Sequence, residues 1–468
     1  VALFYVNGQT TKSISQMGVT FLFDSPVKYG QFVTGEYWIS DAGEGVTINS
    51  ITPSWDGLEN GAEVNPKVDE YQGFRYTTSN AYGWNEELNM NFPYVASGNE
   101  SVVKTIGGTG TSKPYIKTAV VLTVLTDVPE DGLRGGNTFR PPYVGTHKPI
   151  FEVGDVDWDA LPSLNKTGLV DIPSLSSLEN AWDPTIVGLR LDHHTKAPRM
   201  FRSKNGFGGG DAYMPDYTSE IFDIMCRLML DDSQEAKKDA MVFFLQSCID
   251  RLYILKGGYR QGSRGGHNPM HRIQAGFAAK FLNISTGFTF LQNATNFHED
   301  SFIYIGEGSD IPLWGQHNSE KAYWDNQADF NSGNKSNRDP YGFIDGGQIK
   351  TNSYQHLTAK SIKYQVLVAD LIPSLQKSYS IENSSTQTSW NTIKGYAERM
   401  TSHGRWASPD PYAPYDSVDS NRGLTWGEDP ENGGDGIHGN GRYLGGHGGS
   451  KYEGHDASSF VESVLAVY

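Results

Sequence analysis

Between Arg264 and Arg272 the chain reads Arg-Gly-Gly-His-Asn-Pro-Met-His-Arg, which holds the residue types that acid–base chemistry on an anion requires. Gly265 and Gly266 allow a tight loop whose backbone can approach a ligand closely. His267 and Asn268 stand where that loop meets an expected helix, so their side chains and nearby N–H groups can face negative charge. His271 and Arg272 follow on the first turn. The surrounding window, Arg251–His298, has no Asp or Glu over 48 residues, yet carries Arg251, Lys256, Arg260, Arg264, Arg272, Lys280 and three His. Such a segment offers an anion local attraction within a chain of formal net charge −16. The competing expectation is plainer: the cations pair with acids elsewhere, Asn268 only caps a helix, and His271 is solvated.

Two further clusters are candidates. Asp192-His193-His194 precedes Lys196, Arg199, Arg202 and Lys204; its alternative reading is a solvated loop. Ile344-Asp345-Gly346-Gly347, followed by Tyr354 and His356, precedes another expected helix and would add a tyrosine to the same cavity. Tyr323-Trp324 offers a ring for stacking on sugar, although core packing is the commoner role of Trp. All 12 His lie at or after His147, which puts any acid–base site in the second part of the chain. There is no Walker loop, HExxH or GxSxG. Neither Asp329, Asn331 and Asn334 nor His438, His447 and His455 has a known ligand spacing, so no metal and no cofactor is expected.

The elements that must position these residues change character along the chain. Up to about residue 127, β-branched and aromatic runs at Val19–Phe23, Gln31–Ser40, Val46–Ile51 and Tyr115–Thr126 are broken by Asp, Gly, Pro and Asn. They predict an antiparallel β-sandwich domain over 1–127. Residues 128–160, with Phe139-Arg140-Pro141-Pro142-Tyr143, read as a Pro/Gly-rich connector. From 161 to 420 the period is helical. One helix follows Thr218-Ser219. Another opens at Ser233 and stops at Gly257-Gly258, and a third runs from Asn268-Pro269 to Leu282. Further helices are expected at Leu357–Leu371, Thr392–Met400 and Ala457–Val467. Antiparallel helix pairs with long loops suggest an incomplete α/α toroid, so the whole is an α+β multidomain chain. Residues 421–468 form a Gly-rich loop region ending in a helix packed on the toroid.

Composition narrows the class. A chain of 468 residues with 54 Asp+Glu against 38 Lys+Arg repels phosphate backbones, which argues against nucleic acid. Two Cys cannot build a disulfide scaffold; Cys226 and Cys248, on successive helices, read as buried thiols in preference to a bond between neighbours. No apolar run is long enough to span a membrane. The start at Val1 reads as a processed or truncated end. Together with the Tyr/Trp/Gly/Asn richness it suggests a secreted chain, extracellular or periplasmic. Six sequons, at Asn99, Asn165, Asn283, Asn293, Asn334 and Asn383, would accept glycans.

Gly30–Trp38, Asn60–Pro66 and Phe139–Tyr143 in the first part, with Gln246–Tyr253, Gly265–Arg272 and Ile344–Gly347 in the second, resemble secreted bacterial polysaccharide lyases of the heparinase and alginate-lyase type. Those combine a β-rich domain with an α/α toroid. Their Asn-His-Gly-x-x-Tyr-like motif is not kept, since His267 is followed by Asn-Pro-Met-His. The resemblance implies β-elimination on an acidic, uronate-containing polysaccharide. The C5 proton becomes removable when the neighbouring carboxylate is neutralised by Arg, Asn or protonated His. His267 would be the base or a carboxylate partner, with Tyr354 or Tyr259 as the acid toward O4. Arg264 and Asn268 would neutralise the carboxylate, supported by His271 and Arg272, with His194, His356 and Trp324 lining the substrate. Two alternatives remain open. One is an inverting glycoside hydrolase using a pair among Asp192, Glu320, Asp325 and Asp345. The other is a non-catalytic glycosylated surface or fibre-forming protein, a homo-oligomer or filament that keeps a lyase-like fold.

Overall fold

A computed structural model of the chain describes residues 9–68, 73–74, 85–107, 116–129, 136–183, 185–188, 199–202, 218–258, 270–295, 297–306, 310–314, 360–403, 416–419, 424–426 and 457–468. Eight strands come first: β1 (Thr10–Gln16), β2 (Val19–Gln31), β3 (Tyr37–Ser40), β4 (Val46–Thr52), β5 (Ala62–Val64), β6 (Tyr94–Ala96), β7 (Glu100–Gly107) and β8 (Ile116–Leu125). They form one curled sheet in the order β5–β7–β8–β3–β2–β4–β6, with β1 added against β2.

The single mixed sheet corrects the expected antiparallel sandwich, and β2 is the reason. This strand of 13 residues pairs with β4 through Thr20–Phe23 and with β3 through Tyr29–Gln31. Hydrogen bonding therefore passes from one half of the sheet to the other without an intervening edge. β3 and β8 run parallel; the other pairs are antiparallel. The expected strand Gln31–Ser40 is interrupted by a turn in which Phe32 N–H donates to the Glu36 carbonyl and Gly35 takes φ +82°.

Alternate residues of the two halves fill one inner core, among them Val19, Phe21 and Phe23 of β2, Ile48 of β4, and Val120, Leu122 and Val124 of β8. The opposite face of β7 and β8 is not left to solvent. Val103, Ala119 and Val121 belong to the same buried cluster as the helices. Buried on both faces, β8 reads as a continuous apolar run rather than an alternating one.

Helices dominate the rest, so the chain is an α+β protein. They are α1 (Leu175–Trp182), α2 (Thr218–Leu228), α3 (Gln234–Lys256), α4 (His271–Phe281), α5 (Ser285–Asn293), α6 (His298–Phe302), α7 (Lys360–Leu371), α8 (Trp390–His403) and α9 (Ser459–Val467). The Ser233 hydroxyl caps α3 by accepting from Ala236 N–H, and Gly257 ends it, as the sequence predicts. Most of α3 from Ala240 onward is buried on every side, which makes it the central helix. Cys226 and Cys248 are free and buried. The third expected helix starts later than its proline suggests: α4 opens at His271, after Met270 in the left-handed conformation (φ +70°). Three short antiparallel strand pairs, Thr185–Gly188 with Arg199–Arg202, Ile303–Ile305 with Pro312–Trp314 and Asp416–Asp419 with Leu424–Trp426, interrupt the helical part and were not anticipated. No helix among the described residues is long and apolar enough to cross a membrane.

Candidate functional site

The connector carries a charge into the interior. Its backbone is held extended where Val33 N–H bonds to the Thr138 carbonyl and Phe139 N–H to the Phe151 carbonyl. Arg140, wholly buried, then bridges the sheet to α3. Its Nε donates to Glu36 Oε2 (2.7 Å), beside the β2–β3 turn. Its Nη1 and Nη2 donate to the two oxygens of Asp250 (3.0 and 2.5 Å) in the bidentate form a guanidinium favours. Gln246, one turn earlier on α3, completes the seat by exchanging two bonds with the Arg140 backbone. Burial pushes both carboxyls up and Arg140 opposes this. Burial also works against the guanidinium, but the two carboxylates outweigh it and raise Arg140.

Lys148 closes this cluster. Its ammonium donates to the carbonyls of Pro142 (2.8 Å) and Val144 (3.4 Å). Burial, reinforced by the Arg140 charge, brings it down to about 7.

The adjacent stripe of α3 faces α4. Ser247 and Arg251 are four residues apart and so lie on one side of the helix. Arg251 Nε donates to Gln274 Oε1 (3.1 Å), Gln274 Nε2 donates to Ser247 Oγ (3.2 Å), and Arg251 Nη1 lies 3.2 Å from His271 Nε2. All four side chains are buried. This couple of guanidinium and imidazole sits at the first turn of α4, where the helix dipole adds positive character.

Arg272 points elsewhere. It is wholly buried, ion-paired with Glu299 and Asp300 of α6, bonded to the carbonyls of Leu291 and Ser378, and stacked 4.0 Å from the Phe297 ring. Burial pushes Glu299 up to about 7, against the pull of Arg272 and with the help of Asp300. Lys280, another cation of the acid-free window, is ion-paired with Asp157. For these two the plainer expectation, pairing with acids from outside the window, is what the fold contains.

Of the ten residues expected in the site, His271 and Arg272 are described. His194, Tyr259, Arg264, His267, Asn268, Trp324, Tyr354 and His356 lie outside the described residues, as do Asp192, Glu320, Asp325, Asp345 and the sequon at Asn334. The other five sequon asparagines are exposed. Asn165 caps Thr167 N–H (2.7 Å), and the Asn383 amide is bonded at both ends, to Thr392 and Ser389. The described residues contain no group of three or more His, Cys, Asp or Glu able to hold a metal. Arg140, Asp250 and Gln274 were absent from the sequence-based site. For Asp250 and Gln274 the signal was polar residues at helical spacing inside otherwise apolar runs, as in Gln246, Ser247, Asp250 and Arg251 of α3; Arg140, in the connector, carried no such signal. Compared with protein-family models, curated proteins and solved structures, the chain matches none.

Proposed function

We propose that the chain is a secreted carbohydrate-active protein that cleaves a uronate-containing polysaccharide by β-elimination. The observation that carries this reading is the meeting of Arg251 and His271 at the start of α4, one residue beyond the Arg264–Met270 segment. A guanidinium next to an imidazole supplies what an enolate-forming reaction needs, a fixed cation for the uronate carboxylate and a nitrogen that can hold a proton. His267 then takes the C5 proton or holds the carboxylate, Arg264 and Asn268 assist neutralisation, and Tyr354 or Tyr259 protonates the leaving O4.

A toroidal helical scaffold is supported by a closed circuit of contacts from α2 to α3, α4, the turn Pro373–Ser378, α7 and back to α2. The lyase-like division into two parts is supported by the way Glu36, Arg140 and Gln246–Asp250, from three of the segments that carry the resemblance, converge. Export is supported by the five exposed sequon asparagines.

Incubation with a panel of uronate polysaccharides tests this: β-elimination raises ultraviolet absorbance through the new C4=C5 double bond. Reducing ends without that absorbance would turn the reading to a hydrolase. A His267→Ala variant with full lyase activity would sink the assignment of His267.

The burial of both His271 and Arg272, with Arg272 already neutralised, favours a second reading, a non-catalytic surface or fibre-forming protein on the same scaffold. No cleavage of any polymer, together with self-assembly in electron micrographs, would support it.

A further inference from the structure

The hydrogen bonds that link Ser247, Gln274, Arg251 and His271 each have a direction dictated by the groups that make them. Ser247 Oγ donates to the Phe244 carbonyl one turn back (2.7 Å), so toward Gln274 it accepts. The Gln274 amide therefore turns Nε2 to Ser247 and Oε1 to Arg251. A guanidinium has only donors. With Arg251 Nη1 at 3.2 Å, His271 Nε2 must be the nitrogen with the lone pair. The neighbouring carboxylate, Asp250, is taken up by Arg140.

We propose that Arg251, donating on one side to the Gln274 amide that Ser247 orients and on the other to the imidazole, fixes His271 as a neutral ring with its proton on Nδ1. Arg251 is then the positioning residue and the permanent cation, while His271 contributes an N–H from Nδ1 and no charge. Ser247, Arg251, His271 and Gln274 are each 0% exposed, so bulk solvent does not compete for these bonds. The role of this arrangement in catalysis rests on the lyase reading; the tautomer does not.

The test uses the full chain labelled with ¹³C,¹⁵N-histidine, the His271 ring being assigned by its loss in His271→Gln. At pH 7 the wild type should give a pyridine-type Nε2 and a pyrrole-type Nδ1. Arg251→Lys keeps a cation but cannot hold Gln274 and His271 together, and Gln274→Leu removes the acceptor without touching any charge. Both should convert the His271 ring to a mixture of tautomers. A pyrrole-type Nε2, or an imidazolium, in the wild type overturns the proposal, and that spectrum decides even if a variant fails to fold. If the wild type cleaves a uronate polymer, Gln274→Leu should lower kcat roughly 10- to 100-fold with KM little changed. If it cleaves none, the lyase reading fails while the ring shifts still judge the tautomer.

Discussion

Arg140 Nη2 and Asp250 Oδ2, 110 residues apart in the chain, meet at 2.5 Å with neither side chain exposed. A charge withdrawn from water is costly unless its partner and its remaining hydrogen bonds are in place. Glu36 and the Pro141 carbonyl supply those bonds to the guanidinium, and the Gln246 amide pairs with the Arg140 backbone. The arrangement fixes the connector between sheet and helices, and it makes the pair sensitive to losing one member.

Arg140→Met should therefore lower stability by about 3–5 kcal/mol, because it strands two buried carboxylates. The triple change Glu36→Leu, Arg140→Met, Asp250→Leu should cost less than the sum of the three single ones, since no charge is left alone. Urea unfolding midpoints measure both. A loss under about 1 kcal/mol for Arg140→Met would mean that the pair is solvated.

Glu299 gives stability a falling slope with pH. Its folded value is raised from 4.5 to about 7, so its contribution is complete below 4.5 and is lost as pH rises through about 7. Glu299→Gln should flatten the profile across that window. Thermal unfolding at a series of pH values is the readout, and an unchanged slope would refute the assignment.

Lys148 acts in the opposite sense. Its folded value is lowered from 10.5 to about 7, so between those limits the unfolded chain binds more protons and stability rises with pH. Lys148→Met should abolish that rise, stabilising the protein most at or below pH 7 relative to its behaviour above 10.5. Equal effects of the substitution at pH 6.5 and pH 10.5 would contradict a buried, reluctant ammonium.

The Ser458 hydroxyl caps α9 by accepting from Val461 N–H and is bonded to Asp223 of α2. Ser458→Ala should cost about 0.5–2 kcal/mol, felt first as faster amide exchange over 459–468. Exchange rates there that match the wild type would show the cap to be dispensable.

The local signals in the sequence were informative because they act over a few residues. Ser233 and Gly257 bracket α3, and β-branched runs mark β4 and β8 within a residue or so and the start of β2, which runs on to Gln31. What sequence reasoning missed depends on pairing at a distance. That β2 is shared between two halves of one sheet follows from register, which composition does not encode. The acid-free window misled for a related reason. Charge was balanced along the chain, whereas Arg272 is balanced in space by Glu299 and Asp300, the first two residues beyond the window, and Lys280 by Asp157. Arg251 and His271 did come together, and their contact needed the fold of α3 against α4 to be seen.

β8 serves as a party wall. Val120, Leu122 and Val124 lean into one room, Ala119 and Val121 into the other, and β7 repeats the division with Val102 and Val103. Severing the polypeptide after residue 127 would strip the wall on one side and turn its inner plaster, an apolar plane of adjacent strands, toward water. Such a plane seeks the nearest similar plane, so the excised fragment would be expected to stick to its own copies. The two ends of this chain are joined by a shared interior more than by the segment that links them.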